Sequence, residues 1–331
     1  MLFCSFLFLT AAPPDAAYGE SKLLVLCWHS VKNTIGEGDD YSVSRSRFIE
    51  QLEYLTTHGY RPVSVSQVIR ASSGEATLPE KAVLLSFDDA YRSFYNFVFP
   101  VLSRFGYPSM LAVVGSWIEE GAPKGLPEPL MTWEEIAAVS ASGLVEVASH
   151  TYDLHRSVRY NPPGNVGAAI SVRQFLAAEN RYETATEYRE KLALDFRRQK
   201  QMFENRLGTL PRVTVWPYGR CNNISISLAK KNGSLLSFNL NDGSAQLDDP
   251  MQLSRVLVTN VPIQDFIYQV KHPNPPPDGI RAIQVDLDLI YDPASYEKTD
   301  HNLGLLIERL VALDVNTVFL QAFHDAAGTG N

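Results

Sequence analysis

The stretch Ala82-Val-Leu-Leu-Ser-Phe-Asp88-Asp89 decides the fold: it is an apolar run followed at once by two acidic residues. A continuous apolar run of strand length is typical of a parallel sheet that is buried on both faces. The two carboxylates follow this predicted strand at its C-terminal end, where (β/α) barrels carry their active sites. A second interpretation stays open, because Asp89 at a strand-to-helix turn could simply cap a helix that begins near Tyr91.

Similar apolar runs lie on both sides of this stretch, and helical segments separate them. Ser44 and Gly59 bound one amphipathic segment, Thr132 begins a second with capping-box spacing, and Gly208 ends a third over 186–207. This alternation predicts an α/β fold, a (β/α) barrel that is either complete or distorted. The predicted strands are 22–28, 61–65, 82–87, 109–114, 145–149, 213–216, 234–240 and 255–259.

The character of the chain changes near residue 272. The segment 272–279, His-Pro-Asn-Pro-Pro-Pro-Asp-Gly, is too rich in proline for a helix or a sheet and predicts a stiff linker. A strand (280–290), a helix (302–313) and a second strand (316–323) are predicted after it. Because a complete barrel takes about 250 residues, residues 280–331 are predicted to be the truncated start of a second barrel.

The N-terminal segment 1–20 has the character of a secretory signal. Its apolar run over 1–9 is too short to span a bilayer, which needs about 20 residues, and small residues follow it. The positively charged start of a signal is missing. We expect export to the periplasm or the outer membrane, and a first folded domain over 21–271. Lipidation stays open, since Cys4 follows Phe3, where a lipoprotein signal needs a small residue.

Composition excludes few classes of protein. The chain of 331 residues is 45% hydrophobic and 20% charged, which is ordinary for a folded soluble domain. Its formal net charge of −8 argues against a nucleic-acid partner, because phosphate contacts need a basic surface. The number and spacing of the three cysteines do not indicate a disulfide framework.

Three more motifs follow predicted strands. They place His29 after the first strand, His150 and His155 in one loop, and Trp216 and Tyr218 beside a glycine. Each alone has an ordinary structural explanation: a structural histidine, two unrelated histidines in a loop, and a turn with a packed aromatic residue. In a barrel, however, the C-terminal strand ends meet at one mouth, so an acid and two histidines can form a metal site. Such ligands suit zinc, cobalt, nickel or iron.

These motifs resemble those of the NodB-homology polysaccharide deacetylases of carbohydrate esterase family four. Ser86-Phe-Asp88-Asp89 resembles the first family motif, which implies that Asp88 is the catalytic base and Asp89 a metal ligand. Ser149-His150-Thr-Tyr-Asp-Leu-His155 resembles the second, with one extra residue between the histidines, and implies that both are metal ligands.

The third motif and the acid histidine depart from the usual family pattern. Trp216-Pro-Tyr-Gly219 resembles the third motif and implies an aromatic wall from Trp216 and a backbone N–H from Tyr218 at the substrate. The arginine expected two residues before the proline is Val215, so Asp88 lacks its usual partner, and Arg255 is a candidate in its place.

The best match to the acid histidine is His29, at the start of the chain rather than near its end. The aspartate usual after it is Ser30. Asp242 is therefore the candidate to orient His29, and the neighbouring Asn241 is a candidate substrate contact.

This permuted order and the trailing segment resemble the PgaB/HmsF-like branch of the family. The branch implies hydrolysis of acetamido groups on poly-β-1,6-N-acetyl-D-glucosamine during biofilm export, with export-system components as partners. The stretches 284–293 and 316–323 resemble the opening of its C-terminal glycoside-hydrolase barrel. Two alternatives stay open: action on another N-acetylglucosamine polymer, such as chitin or peptidoglycan, and a weakly active polysaccharide-binding export protein. A glycoside hydrolase is disfavoured, since most of that barrel is missing.

Overall fold

A computed structural model of the protein describes residues 23–274, 280–313 and 315–321. The signal-like segment 1–20 and residues 275–279 of the predicted linker lie outside this part of the chain. No helix within the described ranges has the length and apolar character needed to cross a membrane.

All eight predicted strands are present, and they form one parallel sheet. Its order is β13-β12-β7-β6-β5-β1-β14, with β4 also paired to β5. The strands of the described chain are β1 (Leu24–Trp28), β2 (Val31–Lys32), β3 (Val43–Ser44), β4 (Arg61–Pro62), β5 (Ala82–Phe87), β6 (Ser109–Val113), β7 (Val145–Ser149), β8 (Ser157–Arg159), β9 (Val166–Ala168), β10 (Phe175–Leu176), β11 (Arg181–Tyr182), β12 (Val213–Val215), β13 (Leu236–Phe238), β14 (Val256–Leu257), β15 (Ala282–Asp286) and β16 (Thr317–Gln321).

Helices alternate with the sheet strands, and the predicted caps are confirmed. Ser44 accepts the N–H of Arg47, and Thr132 forms a capping box with Glu135. The α-helices are α1 (Arg45–Thr57), α2 (Val65–Ser72), α3 (Phe99–Phe105), α4 (Gly115–Glu119), α5 (Trp133–Ala141), α6 (Ala185–Leu207), α7 (Asn223–Lys231), α8 (Ile263–Lys271) and α9 (Tyr296–Ala312). Short helical turns lie at Phe94–Val98, Pro217–Gly219 and Leu287–Leu289.

The main sheet curls into a distorted barrel, which confirms the predicted fold class. An isolated parallel bridge between Phe238 and Leu253 links the segments at its two ends. Alternate side chains of β5 belong to two separate cores: Leu85 and Phe87 pack in the core that includes α1 and α5, and Leu84 packs in the core that includes α2. Burial on both faces explains why these strands are continuous apolar runs.

The trailing segment forms the predicted β-α-β unit, because β15 and β16 pair in parallel and α9 connects them. β15 ends earlier than predicted, at Asp286, because that side chain accepts the N–H of Asp288 and begins a helical turn. The segment contacts the first domain: Tyr182 donates a hydrogen bond to Asp300, and its ring lies 6.0 Å from that of Tyr296. The domain bounds themselves remain our prediction.

Candidate metal centre

The motifs found in the sequence meet in one cavity of about 680 Å³ at the C-terminal ends of the strands. The loops after β1, β5 and β7 and the turn after β12 all contribute to it, as the barrel geometry predicts. Its chemistry-bearing lining residues are His29, Asp88, Asp89, His150, His155 and Tyr218, with Tyr41, Tyr91 and Trp117 as aromatic neighbours.

Asp89, His150 and His155 form a cluster that fits a divalent metal ion. Their ligand atoms lie within 4.8 Å of one another, and Oδ1 of Asp89 is 3.6 Å from Nε2 of each histidine. These separations are too long for hydrogen bonds. They suit atoms that each lie about 2.0–2.2 Å from a shared ion. Within the described chain, Oδ1 of Asp89 is also buried without a hydrogen-bond partner, which is costly unless a positive charge lies beside it.

Hydrogen bonding and burial prepare the histidines as ligands. Nδ1 of His150 lies 2.8 Å from the carbonyl oxygen of Val215. A carbonyl only accepts, so Nδ1 carries the proton and Nε2 presents its lone pair to the cluster. Burial lowers the pKa of His150 to about 3 and that of His155 to about 4, so both rings are neutral at ordinary pH.

The backbone at these positions is unusual. Asp89, Thr151 and Tyr218 are non-glycine residues with positive φ angles of 68°, 68° and 55°. Such conformations cost free energy and concentrate at functional sites. The alternative that Asp89 merely caps a helix is not supported, because the helical turn that follows is Phe94–Val98 and its N-cap residue is Ser93. Burial raises the pKa of Asp89 to about 6.

Asp88 has the opposite surroundings, because Arg255 binds both of its oxygens. The guanidinium donates at 2.7 and 2.9 Å to the carboxylate and at 3.0 Å to the Ser86 hydroxyl. Burial alone would raise the pKa of Asp88, but the charge of Arg255 outweighs it, and the pKa lies well below the usual range. Cys27, His29 and Asp88 also lie close together. They suit a metal poorly, since Arg255 already occupies the carboxylate.

The structure confirms the candidate partner of Asp88. Arg255 lies just before β14, and its side chain is fully buried. It therefore takes the place of the arginine that Val215 replaces. An arginine inside the apolar stretch Leu253-Ser-Arg-Val-Leu257 was the signal in the sequence.

Two further predicted site residues reach the cavity. His29 is half-buried on the cavity wall, and its ring lies 5.5 Å from that of Tyr41. Tyr218 is 45% exposed, and its ring lies 4.6 Å from that of His155. Among the described residues, the backbone N–H of Tyr218 donates no hydrogen bond, so it is free for a ligand.

Three predicted residues are not brought to the cavity. Trp216 is fully buried: its ring packs against Phe196, and its Nε1 donates to Ser237, because the chain turns only after Pro217. Asn241 and Asp242 are exposed and do not line the cavity. No contact joins Asp242 to His29 within the described chain, so the geometry gives Asp242 no part in orienting that ring.

Sequence reasoning missed the aromatic neighbours and one buried acid. Tyr41 and Tyr91 line the cavity from loops and Trp117 lines it from α4, and none of these segments carries a motif. Asp195 lies on α6 beside the loop between the two histidines. Its signal was an acid in the apolar row of an amphipathic helix, three residues after Leu192.

Comparison with known proteins agrees with this geometry. The family described as "Polysaccharide deacetylase" matches residues 75–235, and the family described as "Hypothetical glycosyl hydrolase family 13" matches residues 284–331. The poly-β-1,6-N-acetyl-D-glucosamine N-deacetylase of Escherichia coli K12 is 37% identical over 321 residues. That alignment covers 93% of this chain but 47% of the relative, so the chain spans about half the length of the curated protein.

Solved structures of two relatives match over nearly their full length. The de-N-acetylase from Aggregatibacter actinomycetemcomitans is 35% identical, with a TM-score of 0.67; the match covers 74% of this chain and 99% of that one. The BpsB deacetylase domain from Bordetella bronchiseptica is 34% identical, with a TM-score of 0.63, over 75% and 98% of the two chains.

Proposed function

Since the chain belongs to the polysaccharide deacetylase family, we propose that it hydrolyses acetamido groups on poly-β-1,6-N-acetyl-D-glucosamine. One observation supports this most strongly: a buried Asp-His-His cluster lies in an open cavity, next to a second carboxylate with its own arginine. The substrate is proposed from the Escherichia coli relative, whose name specifies this polymer.

Asp89, His150 and His155 would bind the divalent ion, which is zinc, cobalt, nickel or iron in our proposal. Once bound, the ion supplies Lewis acidity, which lowers the pKa of a water and polarises a carbonyl group. The residues around the ion would transfer protons and stabilise the developing charge. Asp88 stays ionised beside Arg255 and accepts the proton of the attacking water.

The opposite side of the cavity serves the oxyanion and the leaving group. The free backbone N–H of Tyr218 can donate to the oxygen on which negative charge develops. An amine leaves readily only after protonation, and His29 on the cavity wall is the group we propose to supply that proton. The rings of Tyr41, Trp117 and Tyr218 offer flat apolar surfaces for a sugar.

Localisation and partners extend the proposal. A polymer that is modified during biofilm export is met outside the cytoplasm. We therefore propose that the protein is exported to the periplasm or the outer membrane and acts with other components of an exopolysaccharide export system. The signal-like composition of residues 1–20 supports this.

The test combines metal content with acetate release. Purified protein should bind about one divalent ion per chain. It should release acetate from β-1,6-linked N-acetylglucosamine oligomers faster than from β-1,4-linked chitin oligomers. Faster release from the β-1,4 oligomers would move the substrate to a chitin-like polymer. A protein that binds the oligomers but releases no acetate with metal present would be a binding protein rather than an enzyme.

A further inference from the structure

Asp195 contacts the loop that carries the two histidines. Its side chain is 5% exposed, and its carboxylate accepts the backbone N–H of Tyr152 at 2.9 Å and that of Asp153 at 2.7 Å. We infer that Asp195 is a positioning residue, which keeps the segment between His150 and His155 in the shape that brings both rings to Asp89. The inference rests on the proposed function, since it concerns the same metal centre.

The opposite side of the loop is fixed as well. Gly115 N–H donates to the carbonyl of Thr151 at 3.1 Å, and Ser116 N–H donates to that of Tyr152 at 2.8 Å. A Cβ at Gly115 would lie 2.7 Å from the Tyr152 ring, so no space remains between α4 and the loop. The loop is thus clamped between α4, which binds its carbonyls, and Asp195 of α6, which binds its N–H groups.

This clamp matters most for His155. His150 is oriented by its own hydrogen bond to Val215. Nδ1 of His155, by contrast, is buried without a hydrogen-bond partner among the described residues, and its ring packs against those of Trp117, His150 and Tyr218 at 4.7, 4.7 and 4.6 Å. The position of its Nε2 therefore depends on the backbone that precedes it.

Asp195 supplies the two acceptors that adjacent N–H groups of the loop need. Four residues, 151–154, separate His150 from His155. A backbone N–H that is removed from water must find a partner. A single aspartate satisfies two adjacent N–H groups, because each of its oxygens accepts one.

The test compares Asp195→Asn with Glu190→Gln, the same chemical change at an exposed residue of the same helix. Asparagine has one acceptor oxygen, and its NH₂ group would face the second N–H. We expect the zinc Kd of D195N to rise about 10–100-fold, the usual cost of losing a group that orients a metal ligand. E190Q should bind zinc like the unmodified protein.

Zinc titration by calorimetry on protein that circular dichroism shows to be folded gives the Kd. Burial raises the pKa of Asp195 to about 7, so the titration belongs at pH 8, where the carboxylate is ionised. Equal affinity in D195N and the unmodified protein would overturn the inference alone. Failure of the unmodified protein to bind any of zinc, cobalt, nickel and iron would instead overturn the proposed function.

Amide hydrogen exchange on the unmodified, metal-free protein tests the inference even if D195N does not fold. The amides of Tyr152 and Asp153 should exchange slowly before any zinc is added, because Asp195 already binds them. Rapid exchange at both amides before zinc is added would show that Asp195 does not fix the loop. Slow exchange that appears only after zinc is added would show that the metal orders the loop instead.

Discussion

Two adjacent aspartates at the end of β5 have opposite surroundings. Both are buried, at 2% exposure for Asp88 and 5% for Asp89. Arg255 binds both oxygens of the first, whereas Oδ1 of the second has no partner and faces two histidine nitrogens. Neighbours in sequence thus differ in role because their contacts come from distant parts of the chain.

The pKa values follow this division. Burial raises the pKa of Asp89 to about 6, because the nearby charges of His29 and Arg255 oppose it only in part. For Asp88 the same burial is outweighed by Arg255, which keeps the carboxylate ionised. The carboxylate of Asp89 can therefore accept a positive ion, whereas the charge of Asp88 is already neutralised by Arg255.

The largest effect is expected from the two histidines that lie beside Asp89. His150→Ala or His155→Ala should abolish both metal binding and acetate release, because each removes one of three ligands. Metal content is measured on the purified variants. His301→Ala, at an exposed residue of α9, serves as the control and should change neither property. A double variant that kept its metal would contradict the ligand assignment.

The second prediction separates the two aspartates. Asp88→Asn should keep the metal and lose about 10²–10⁴-fold in activity, the usual contribution of a general base. Asp89→Asn should weaken metal binding itself, because an amide oxygen is a poorer ligand than a carboxylate. Metal affinity and acetate release are measured for both variants. Equal metal loss in the two variants would contradict the different roles of Asp88 and Asp89.

The third prediction concerns the ion pair between Asp88 and Arg255. Arg255→Met leaves Asp88 buried without its cation, and breaking such a pair costs about 3–5 kcal/mol of unfolding free energy. Urea unfolding of the metal-free protein measures this loss. Arg47→Met removes an arginine that pairs with Glu50 on the surface and should cost little. Similar losses of unfolding free energy in both variants would show that the buried Arg255–Asp88 pair stabilises the fold no more than a surface pair does.

The same pair predicts a pH dependence. The folded-state pKa of Asp88 lies below the unfolded value of about 3.9, so its contribution to stability is complete above that pH. It is lost as the pH falls from about 4 through the depressed folded value. In Arg255→Met, burial loses its main opponent and the pKa of Asp88 rises, so this loss on acidification should shrink. Urea unfolding at several pH values checks it; identical pH profiles would be the contrary result.

The smallest effect is expected from the trailing segment, whose described residues do not line the cavity or belong to the metal cluster. A chain that ends before Pro275 should release acetate within about twofold of the full chain, as for changes remote from a site. It should also be more soluble, since Phe319 and Leu320 of β16 are exposed apolar residues. Activity and solubility are measured side by side.

Contact between the trailing segment and the first domain sharpens this test. Tyr182→Phe removes only the hydrogen bond to Asp300, so it separates that contact from the rest of the segment. We expect it to leave activity unchanged. Loss of activity with metal retained in the shortened chain would make the segment part of the catalytic unit and move our domain boundary.

Much of the fold could be predicted because it depends on local patterns. All eight strands of the main sheet were located from apolar runs, and α6 from its amphipathic spacing and Gly208. The residues that end strands were harder to assign. Trp216 and Tyr218 belong to one motif, yet Trp216 is buried in extended backbone and Tyr218 reaches the cavity from a helical turn with a positive φ.

By itself, the sequence determined the sheet strands, the starts of α1 and α5, the end of α6, and the carboxylates and histidines that lie in one cavity. These follow from periodicity, capping and the rule that parallel strands end on one side. The sequence placed the start of α9 at residue 302, whereas that helix begins at Tyr296. Only the tertiary structure decided that Arg255 binds Asp88, that Asp195 binds the histidine loop, and that Asp242 lies apart from His29. Such pairs join residues far apart in sequence, and the distance between their side chains is set by how the barrel closes.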